Sequence, residues 1–405
     1  MNTGKHNPLA PPALDLQGML ARLRSDCRHY RGDRPCAAGV QGVCPSGCER
    51  FAAQGDRILL IKLGALGDVI RTAALLPGLK QRWPASHVTW LTRASGARML
   101  RNQPLIDRLL AFDAEACCHL EYERFDLCVC LDKEPGPAAL AMRVDARLRM
   151  GVGLTRAGGV VPLNAECAPY FALGLDDGLK FRGNRRSYQA LVYAALGLRY
   201  EGQRYRLYPG QRERDAAAQL WARHGVGDRE IVVGLNTGAG GVFANKTWRE
   251  ARFLDLALAL CSRPRVCVAL LGGPDERERN RALARRCPPV IDVGCDHDEL
   301  AFAALVSRCD ALVTGDTMAL HVAVAMDVPV VALFGPTCEQ EIDLFGRGEK
   351  LLTPLECSPC YRRACDQRPN CMDAIPVRRV VEAVERWIDA PRRRVRPLPV
   401  LEGAS

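Results

Sequence analysis

The 405-residue sequence has no segment typical of a membrane-spanning or secreted protein. No run of about 18 apolar residues occurs, so the sequence predicts no transmembrane helix. The opening stretch, MNTGKHNPLAPPALDLQG, also has no apolar core of the kind that secretion signals carry. We therefore expect a cytoplasmic protein whose contact with a membrane, if it has one, is peripheral.

Aromatic residues are scarce as well, at 6% of the chain, and no nucleic-acid-binding module is recognisable. Single-stranded nucleic acids are usually bound by aromatic side chains interleaved with basic ones, so we expect no nucleic-acid partner. Positive charge is abundant, because the formal net charge is +10 and the tail APRRRVRPLP is strongly basic. This charge favours anionic partners such as phosphorylated sugars or acidic lipids, although the tail alone can equally be a solvated segment.

Apolar strand-like runs alternate with helical patterns along most of the chain. RILLIK, HVTWLTR and DLCVCLD form a first series of strands, and EIVVGLN opens a second series after a polar stretch at 200–229. This alternation is typical of parallel sheets covered by helices, and the length suits two domains. The sequence thus predicts an α/β protein with a Cys-rich arm (1–56), two Rossmann-like domains (57–210 and 211–390) and a basic tail (391–405).

The same patterns place individual helices and strands. Helices are predicted at 69–82, 95–103, 211–224, 249–261, 275–286, 298–308, 317–326 and 375–389. The strands of the second series are predicted at 230–236, 265–273, 289–294, 311–316 and 328–335.

The first candidate site is the loop LGALGDV, which follows the RILLIK strand. Gly64 and Gly67 permit a tight turn and a close approach to a ligand. Asp68 is predicted at the N-cap of the next helix, at the carboxyl end of a strand, where open α/β sheets bind ligands. It can cap the helix only, or it can act as a general base on a hydroxyl group.

The second candidate site is the glycine-rich loop LNTGAGGVFANKTW, which follows the first strand of the second series. Asn236, Thr237 and Gly238 offer hydrogen-bonding groups and a close backbone approach, and Lys246 offers a positive charge. Such a loop can bind phosphate groups. The alternative is a flexible loop with a surface lysine. Neither this loop nor LGALGDV has the spacing of a dinucleotide fingerprint or a P-loop.

The third candidate site is VTGDTMALHVAVAM, where Asp316 and Thr317 end a strand and open a helix. The backbone N–H groups and the dipole at such a helix start suit a diphosphate, although Asp316 can also serve only as a cap. His321 lies four residues after Thr317 on the same helical face, with either a structural or a binding role. The turn FGPT follows the next strand at the same edge of the sheet.

Nineteen cysteines are unusual for a cytoplasmic chain, and eight of them form two sets near its ends. In a reducing compartment, grouped thiols favour a metal over disulfides. Each set can hold a structural zinc ion or an iron–sulfur cluster, or can consist of free thiols or occasional disulfides. The N-terminal set is Cys27, Cys36, Cys44 and Cys48, with His29 as a spare ligand; the C-terminal set is Cys357, Cys360, Cys365 and Cys371.

From Arg57 to about Met372 the sequence resembles glycosyltransferase family 9, the lipopolysaccharide heptosyltransferases. The resemblance rests on the order and spacing of IKLGALGDVIRT, GLNTGAG…NKTW, LLGGPDE, GDTMALHVAVAM, VPVVALFGPT and the C-terminal cysteine pattern. It implies a GT-B fold, in which two Rossmann-like domains face each other across a cleft. It also implies a nucleotide-sugar donor on the C-terminal domain and an acceptor on the N-terminal domain.

The resemblance further implies residue roles. Asp68 corresponds to the family's proposed base, which deprotonates the acceptor hydroxyl for an inverting attack on the sugar. Lys246 corresponds to the lysine beside the leaving diphosphate, and Asp316 and Thr317 to sugar and phosphate contacts. No cofactor is required for the transfer, and the best-known donor of the family is ADP-heptose, with an anionic glycolipid such as lipopolysaccharide inner core as acceptor. The last helix of GT-B proteins usually returns to the first domain, which would bring the two cysteine sets close together.

Three other functions remain open from the sequence. Met318 stands where the commoner family pattern has glycine, and the 56-residue arm is additional, so another nucleotide sugar or acceptor is an alternative. A GT-B enzyme such as a nucleotide-sugar epimerase is a second. The third is a non-catalytic metal-binding scaffold that retains the nucleotide cleft.

Overall fold

The computed structural model describes residues 15–239 and 246–390. Among these residues, no helix is both long and apolar enough to cross a membrane. The predicted basic tail, 391–405, lies outside the described residues.

The first sheet has six strands within the described part of the chain, in the order β3-β2-β1-β4-β5-β6. All neighbouring strands are parallel except β6, which runs antiparallel to β5. Its strands are β1 Arg57–Ile61, β2 His87–Thr92, β3 Arg108–Ala111, β4 Arg124–Cys130, β5 Asp145–Leu154 and β6 Val160–Pro162. The helices of this half are α1 Leu16–Arg22, α2 Leu66–Thr72, α3 Leu75–Arg82, α4 Ala94–Leu100, α5 Ala114–Tyr122, α6 Pro135–Arg143, α7 Ala168–Ala172 and α8 Tyr188–Ala195.

The second sheet, described from residue 231 onward, has the order β12-β11-β10-β7-β8-β9 and is parallel throughout. Its strands are β7 Ile231–Asn236, β8 Val266–Leu271, β9 Ile291–Asp292, β10 Ala311–Gly315, β11 Val330–Phe334 and β12 Gly348–Leu352. The helices of this half are α9 Gln211–Arg223, α10 Glu250–Cys261, α11 Arg277–Arg286, α12 Glu299–Val306, α13 Met318–Ala325 and α14 Val377–Ile388.

The central strands are buried along their whole length because helices cover both faces of each sheet. Every residue of β2, β10 and β11 is buried. This is the burial expected for a parallel sheet and explains why the strands lack a polar–apolar alternation. The α/β class is therefore confirmed.

Helices α2 and α13 bring the two halves together. Helix α13 packs on β10 and β11 and also against α2 of the first half. One hydrophobic cluster contains buried residues of both halves, including Ile70 and Val192 on one side and Phe302 and Leu320 on the other. Two Rossmann-like units therefore face each other through helices at the carboxyl ends of their sheets, which confirms the predicted GT-B fold. The predicted domain boundaries stay predictions.

Several predicted elements differ from the structure in detail. The helix predicted at 69–82 is two helices, α2 and α3, separated by Ala73 and Ala74. Strands β3, β5, β6 and β12 were not predicted, because none of the four is fully buried and their apolar signal is weak. The predicted strand 289–294 is reduced to two residues at the edge of its sheet.

The final helix does not return to the first half. Helix α14 packs against α10 and against β10, β11 and β12, with Val380 and Val384 in the core of the second half. The expectation that this helix would bring the two cysteine sets together is therefore wrong. The apolar face of α14 packs on the sheet of the second half.

Candidate active site

The LGALGDV loop is held in place by a buried ion pair directly after β1. The Lys62 Nζ atom donates to Asp132 Oδ1 at 2.6 Å, and both side chains are almost fully buried. The same carboxylate accepts hydrogen bonds from the backbone N–H groups of Leu63 and Gly64. Because Asp132 follows β4, the neighbour of β1, the strand order itself brings it to this loop. Hydrogen bonds to a charged acceptor are stronger than neutral ones, so Asp132 fixes the start of the loop.

Asp68 lies in the first turn of α2 rather than at its N-cap. The N-cap residue is Ala65, and Asp68 donates its backbone N–H to the Ala65 carbonyl at 2.8 Å. Its side chain makes no capping hydrogen bond. Instead the carboxylate accepts from Arg71 Nε at 3.0 Å and Nη2 at 2.8 Å, and it remains 35% exposed. The predicted cap is therefore wrong, and the carboxylate is left facing the cleft.

The charges around Asp68 keep its carboxylate ionised. Burial on its own would raise the pKa of Asp68, but the charges of Arg71 and Lys62 outweigh it and the pKa is lowered. An ionised carboxylate is the form that accepts a proton from a hydroxyl group.

Arg71 is itself positioned by several groups. Its guanidinium carbon lies 3.9 Å from the centre of the Tyr188 ring, and its Nη2 lies 3.8 Å from a carboxylate oxygen of Glu341 in the second half. Burial would lower its pKa, but Asp68, Tyr188 and Glu341 raise the pKa overall. Arg71 thus stays charged and holds Asp68 in one orientation.

Both predicted loop glycines allow close approaches. A Cβ atom on Gly64 would lie 2.7 Å from Lys62 Nζ and 2.9 Å from Asp132 Oδ1. A Cβ on Gly67 would lie 2.6 Å from Cδ2 of His321 on α13. Both distances are below normal van der Waals contact. Gly67 therefore lets α2 and α13 touch across the cleft.

On the other side of the cleft, Lys246 and Asp316 form an ion pair. Lys246 Nζ lies 3.2 Å from Asp316 Oδ2 and 3.5 Å from the Asp316 carbonyl oxygen. Both side chains are more than four-fifths buried. Burial would raise the pKa of Asp316, but the charges of Lys246 and Arg71 lower it. The lysine that the sequence placed near a phosphate thus lies at the start of α13.

A hydrogen-bonded polar network lies beneath this ion pair. Asn236 Nδ2 donates to the Gly238 carbonyl at 2.9 Å and to Thr314 Oγ1 at 3.1 Å, and Thr317 Oγ1 lies 3.0 Å from Thr314 Oγ1. Thr317, and not Asp316, is the N-cap residue of α13, and the Thr317 side chain makes no capping hydrogen bond. The alternative in which Asp316 is only the cap of this helix therefore does not match the structure.

Thr237 faces the protein interior rather than the cleft. Its side chain is fully buried, and its hydroxyl donates to Asn280 Oδ1 at 2.5 Å. Its backbone N–H donates to the Leu271 carbonyl, and its own carbonyl accepts from Arg279. The polar groups of Thr237 are thus used within the protein, and the residue positions the loop.

Gly238 lies directly beneath Glu276. A Cβ on Gly238 would lie 1.8 Å from Glu276 Oε1, and the other carboxylate oxygen of Glu276 accepts from the Gly273 N–H at 2.8 Å. A half-buried carboxylate therefore overhangs the predicted glycine loop. Sequence analysis missed Glu276 as a site residue, although it ends the quoted LLGGPDE motif.

His321 is buried between the two halves and sits at the centre of the charged groups. Its Nδ1 lies 3.3 Å from the Tyr205 hydroxyl, and the ring is only 5% exposed. Burial, followed by the charges of Arg71 and Lys246, lowers its pKa to about 4, against the opposing effect of Asp316 and Asp68. The imidazole is therefore neutral at pH 7. The four charged groups that shift this pKa come from both sides of the cleft: Asp68 and Arg71 from the first half, and Lys246 and Asp316 from the second.

Other functional groups also escaped the sequence analysis. Arg71, Lys62 and Asp132 lie in or beside motifs that were quoted, but their pairing depends on contacts up to 70 residues apart. Lys133 follows Asp132 and donates to the carbonyls of Tyr170 and Phe171. Burial, with smaller effects from nearby charges, lowers its pKa to about 8.

The C-terminal cysteine set lies beside the FGPT turn at the cleft. Cys360 donates its backbone N–H to the Pro336 carbonyl, and Cys371 packs against Gly335. Tyr361, within the same loop, stacks on Phe181 of the first half at 5.5 Å between ring centres. This loop therefore connects the two halves at one end of the cleft.

The N-terminal cysteine set lies elsewhere. Its four cysteines and His29 line one cavity formed by the arm alone. Across residues 15–239 and 246–390, no three His, Cys, Asp or Glu side chains are close enough to share one metal ion. All the described cysteines have free thiols.

Comparison with known proteins agrees with this geometry. The model of glycosyltransferase family 9 (heptosyltransferase) matches residues 185–370. Lipopolysaccharide heptosyltransferase 1 of Pseudomonas aeruginosa is 26% identical over 345 residues, which cover 78% of this chain and 88% of that protein. A match over 78% of this chain is too long to lie within the second half alone. In both comparisons, this chain is similar to glycosyltransferase family 9.

Solved structures of similar fold support the two-sheet architecture of this chain. A family 9 glycosyl transferase from Veillonella parvula superposes with a TM-score of 0.67 at 20% identity, covering 84% of this chain and 99% of that one. The ADP-heptose lps heptosyltransferase II of E. coli superposes with a TM-score of 0.59 at 17% identity, covering 82% and 98%. This chain thus shares its fold with both solved structures along nearly their whole length.

Proposed function

We propose that this glycosyltransferase moves heptose from ADP-heptose to a hydroxyl group of a lipopolysaccharide inner core, with inversion at the anomeric carbon. The relatives named for heptose transfer support this donor and acceptor. A cleft with an ionised carboxylate on one side and a lysine at a helix start on the other supports the chemistry.

The second half would bind the donor. Lys246 and the first N–H groups of α13 offer positive charge and hydrogen bonds to a diphosphate. Asp316, Thr317 and Asn236 lie in the same network and would contact the sugar or the phosphates. Gly64, Gly67 and Gly238 have no side chains, so they leave space for the substrates or for the protein groups that bind the substrates. His321 would pack beside the sugar as a neutral ring.

The first half would bind the acceptor and start the reaction. Asp68 would accept the proton of the acceptor hydroxyl as its oxygen forms a bond to the anomeric carbon. The bond from that carbon to the diphosphate oxygen breaks, and the electron pair leaves with ADP. Lys246 and the helix N–H groups would stabilise the charge on the leaving diphosphate. These protein groups supply the charge that the step needs, so we propose that neither cysteine set takes part in the chemistry.

One observation carries this proposal. A Cβ on Gly67, next to Asp68, would lie 2.6 Å from His321 Cδ2, and His321 lies on α13, whose start carries the Lys246–Asp316 pair. The proposed base and the proposed diphosphate ligand therefore border the same small volume, from opposite halves. A nucleophile and a leaving group must lie on opposite sides of the reacting carbon for inversion, and this arrangement meets that need.

The test compares two single substitutions from carboxylate to amide. Asp68→Asn should reduce heptose transfer to a truncated lipopolysaccharide by about a hundredfold or more and leave ADP binding nearly unchanged. Asp255→Asn, at an exposed position of α10, is the matched control and should transfer normally. Full turnover by Asp68→Asn would show that the base is another group.

Two alternatives give different results in the same assay. A nucleotide-sugar epimerase would consume the donor without any acceptor, whereas the proposed transferase requires one. A non-catalytic scaffold would bind ADP and never transfer. A thermal-shift comparison of ADP, UDP, GDP and CMP identifies the nucleotide, because a ligand bound to the native state raises the melting temperature.

We also propose peripheral contact with an anionic lipid surface, on the basis of the net charge of +10. Binding to vesicles with acidic headgroups should exceed binding to neutral vesicles at low salt and should weaken as salt rises. Equal binding to both vesicle types would contradict this part of the proposal.

A further inference from the structure

The FGPT turn, residues 334–337, borders the start of α13. It follows β11, which pairs in parallel with β10, and Gly315 at the end of β10 lies opposite Leu333. Asp316 and the turn therefore leave neighbouring strands at the same carboxyl edge of the sheet. Thr337, the last residue of the turn, is only 3% exposed. A buried hydroxyl group thus lies beside the proposed diphosphate site.

The Thr337 hydroxyl makes no well-formed hydrogen bond to any residue within 15–239 or 246–390. Most buried polar side chains in proteins have a partner, because burial without one costs free energy. Burial raises the pKa of the Asp316 carboxyl, and the charges of Lys246 and Arg71 lower it. The Thr337 hydroxyl adds to this lowering, so it lies within reach of the carboxylate. In the structure that carboxylate is paired with Lys246.

Tyr361 holds the turn on both sides of Thr337. Its backbone N–H donates to the Pro336 carbonyl at 2.8 Å, and its hydroxyl accepts from the Cys338 N–H at 3.4 Å. The backbone φ of Tyr361 is 50°, in the left-handed region that residues other than glycine seldom adopt. Such strain persists only where the surrounding contacts enforce it, and it is concentrated at functional sites. Tyr361 therefore fixes the position of Thr337.

The first half contacts the same tyrosine ring. Phe181 stacks on it with an angle of 5° between the ring planes, and Lys180 Nζ lies 3.7 Å from the ring centre. The Lys180 carbonyl also accepts from Gln340 Nε2 of the second half at 3.1 Å. The ring of Tyr361 is thus held between the FGPT turn and the first half.

We propose that Thr337, held in place by Tyr361, is the second partner of Asp316 and receives its carboxylate when a diphosphate binds Lys246. The diphosphate and the carboxylate compete for the same Nζ atom, and their negative charges repel each other. When the carboxylate turns to the Thr337 hydroxyl, it gains a charge-assisted hydrogen bond and releases Lys246. This inference rests on the proposed binding of a diphosphate at Lys246 and requires neither the sugar nor the acceptor.

Calorimetry with ADP tests the proposal, since ADP supplies the diphosphate without a sugar. Thr337→Val keeps the shape of the side chain and removes the hydroxyl. It should weaken ADP binding by about 10-fold or more, as expected for one lost hydrogen bond to a charged group, and leave adenosine binding unchanged. Thr337→Ser should retain ADP binding. ADP binding by Thr337→Val at native strength would overturn the proposal.

The matched control is Thr89→Val on β2 of the first half. Thr89 is fully buried, and its hydroxyl likewise makes no well-formed hydrogen bond to a described residue. The loss of this hydroxyl should leave ADP binding unchanged. Circular dichroism checks that each variant is folded.

Double variants show whether Thr337 acts through Asp316. Asp316→Asn removes the competing charge, so adding Thr337→Val to it should cost little further ADP affinity. Tyr361→Phe removes the hydroxyl that holds the turn and should weaken ADP binding in the native chain but not in Thr337→Val. Tyr122→Phe, at a tyrosine that is 93% exposed, is the control and should bind normally. Losses that are equal in both backgrounds would contradict the assignment.

The same measurements separate this proposal from the proposed reaction. A native chain that binds ADP, UDP or GDP and transfers no sugar would contradict the reaction alone, and the nucleotide that binds then serves for the Thr337 comparison. If the native chain binds none of these three and no inorganic pyrophosphate, both proposals are wrong.

Discussion

A Cβ atom on Gly67 would lie 2.6 Å from Cδ2 of His321, a contact that joins the two halves of the protein. The imidazole is buried and is hydrogen-bonded to Tyr205, so it has little freedom to move aside. The proposed base lies one residue after this contact, and the Lys246–Asp316 pair lies on the other side of the ring. Changes at the contact should therefore affect both halves of the site.

Gly67→Ala should lower the free energy of unfolding by about 1–3 kcal/mol, because the added methyl overpacks a closed contact. Chemical denaturation measures this. In Gly67→Ala/His321→Ala the methyl has space, so the double change should cost less than the sum of the two single changes. Gly136→Ala is the control, since a Cβ there meets nothing within 4 Å. Additive costs in the double variant would show that the two residues do not press on each other.

Asp132→Ala should destabilise the protein by about 3–5 kcal/mol, because it leaves Lys62 buried without its partner and removes the acceptor of two loop N–H groups. Lys62→Met/Asp132→Leu should recover much of the stability, since apolar residues replace the buried charges. Turnover should stay low in the double variant, because the loop N–H groups still lack an acceptor. A double variant with normal turnover would mean that Asp132 serves stability alone.

Folding stability should decrease as the pH falls from 6.5 towards 4. The pKa of His321 is about 4 in the folded protein, against about 6.5 when unfolded, so only the unfolded state takes up this proton in that interval. The loss is about 2 kcal/mol at pH 5 for one such residue. Urea titrations from pH 7.5 to 5 measure it.

His87 contributes in the same direction, because burial lowers its pKa to about 4 as well. His321→Gln and His87→Gln should therefore each flatten the pH dependence by roughly half. The lowered pKa values of Asp68 and Asp316 act at a lower pH, below about 3.8, where these carboxylates begin to protonate. A His321→Gln protein with the slope of the native chain would show that the imidazole is protonated in the folded state.

Lys246→Ala should weaken ADP binding by about 10- to 100-fold, the range expected for one lost hydrogen bond to a charged group. Adenosine, which has no phosphates, should bind as before, and calorimetry compares the two ligands. Lys350→Ala, at a partly buried lysine paired with Glu339 in the same half, is the control. Equal losses for ADP and adenosine would indicate a misfolded site instead of a lost phosphate contact.

The sequence predicted much of this fold because buried parallel strands carry their signal locally. RILLIK, HVTWLTR and ALVTGD are short apolar runs that end at glycine or polar residues, and each is a central strand. Edge strands such as β3 and β12 have mixed exposure, so no comparable run marks them. Helix α2 starts at Leu66, two residues before Asp68, and its N-cap is Ala65, which has no polar side chain to mark the start in the sequence.

The chemical identity of the site groups was thus determined by the sequence itself: a carboxylate after β1, a lysine after a glycine loop, an Asp-Thr pair at a helix start and two sets of four cysteines. These groups follow strand ends, and parallel strands bring their carboxyl ends to one edge. Only the tertiary structure decided that Arg71 orients Asp68, that Asp132 holds the loop, that Glu276 covers Gly238 and that the two cysteine sets lie apart. Each of these depends on a side-chain direction or on a contact between elements distant in the chain, and no local pattern encodes either.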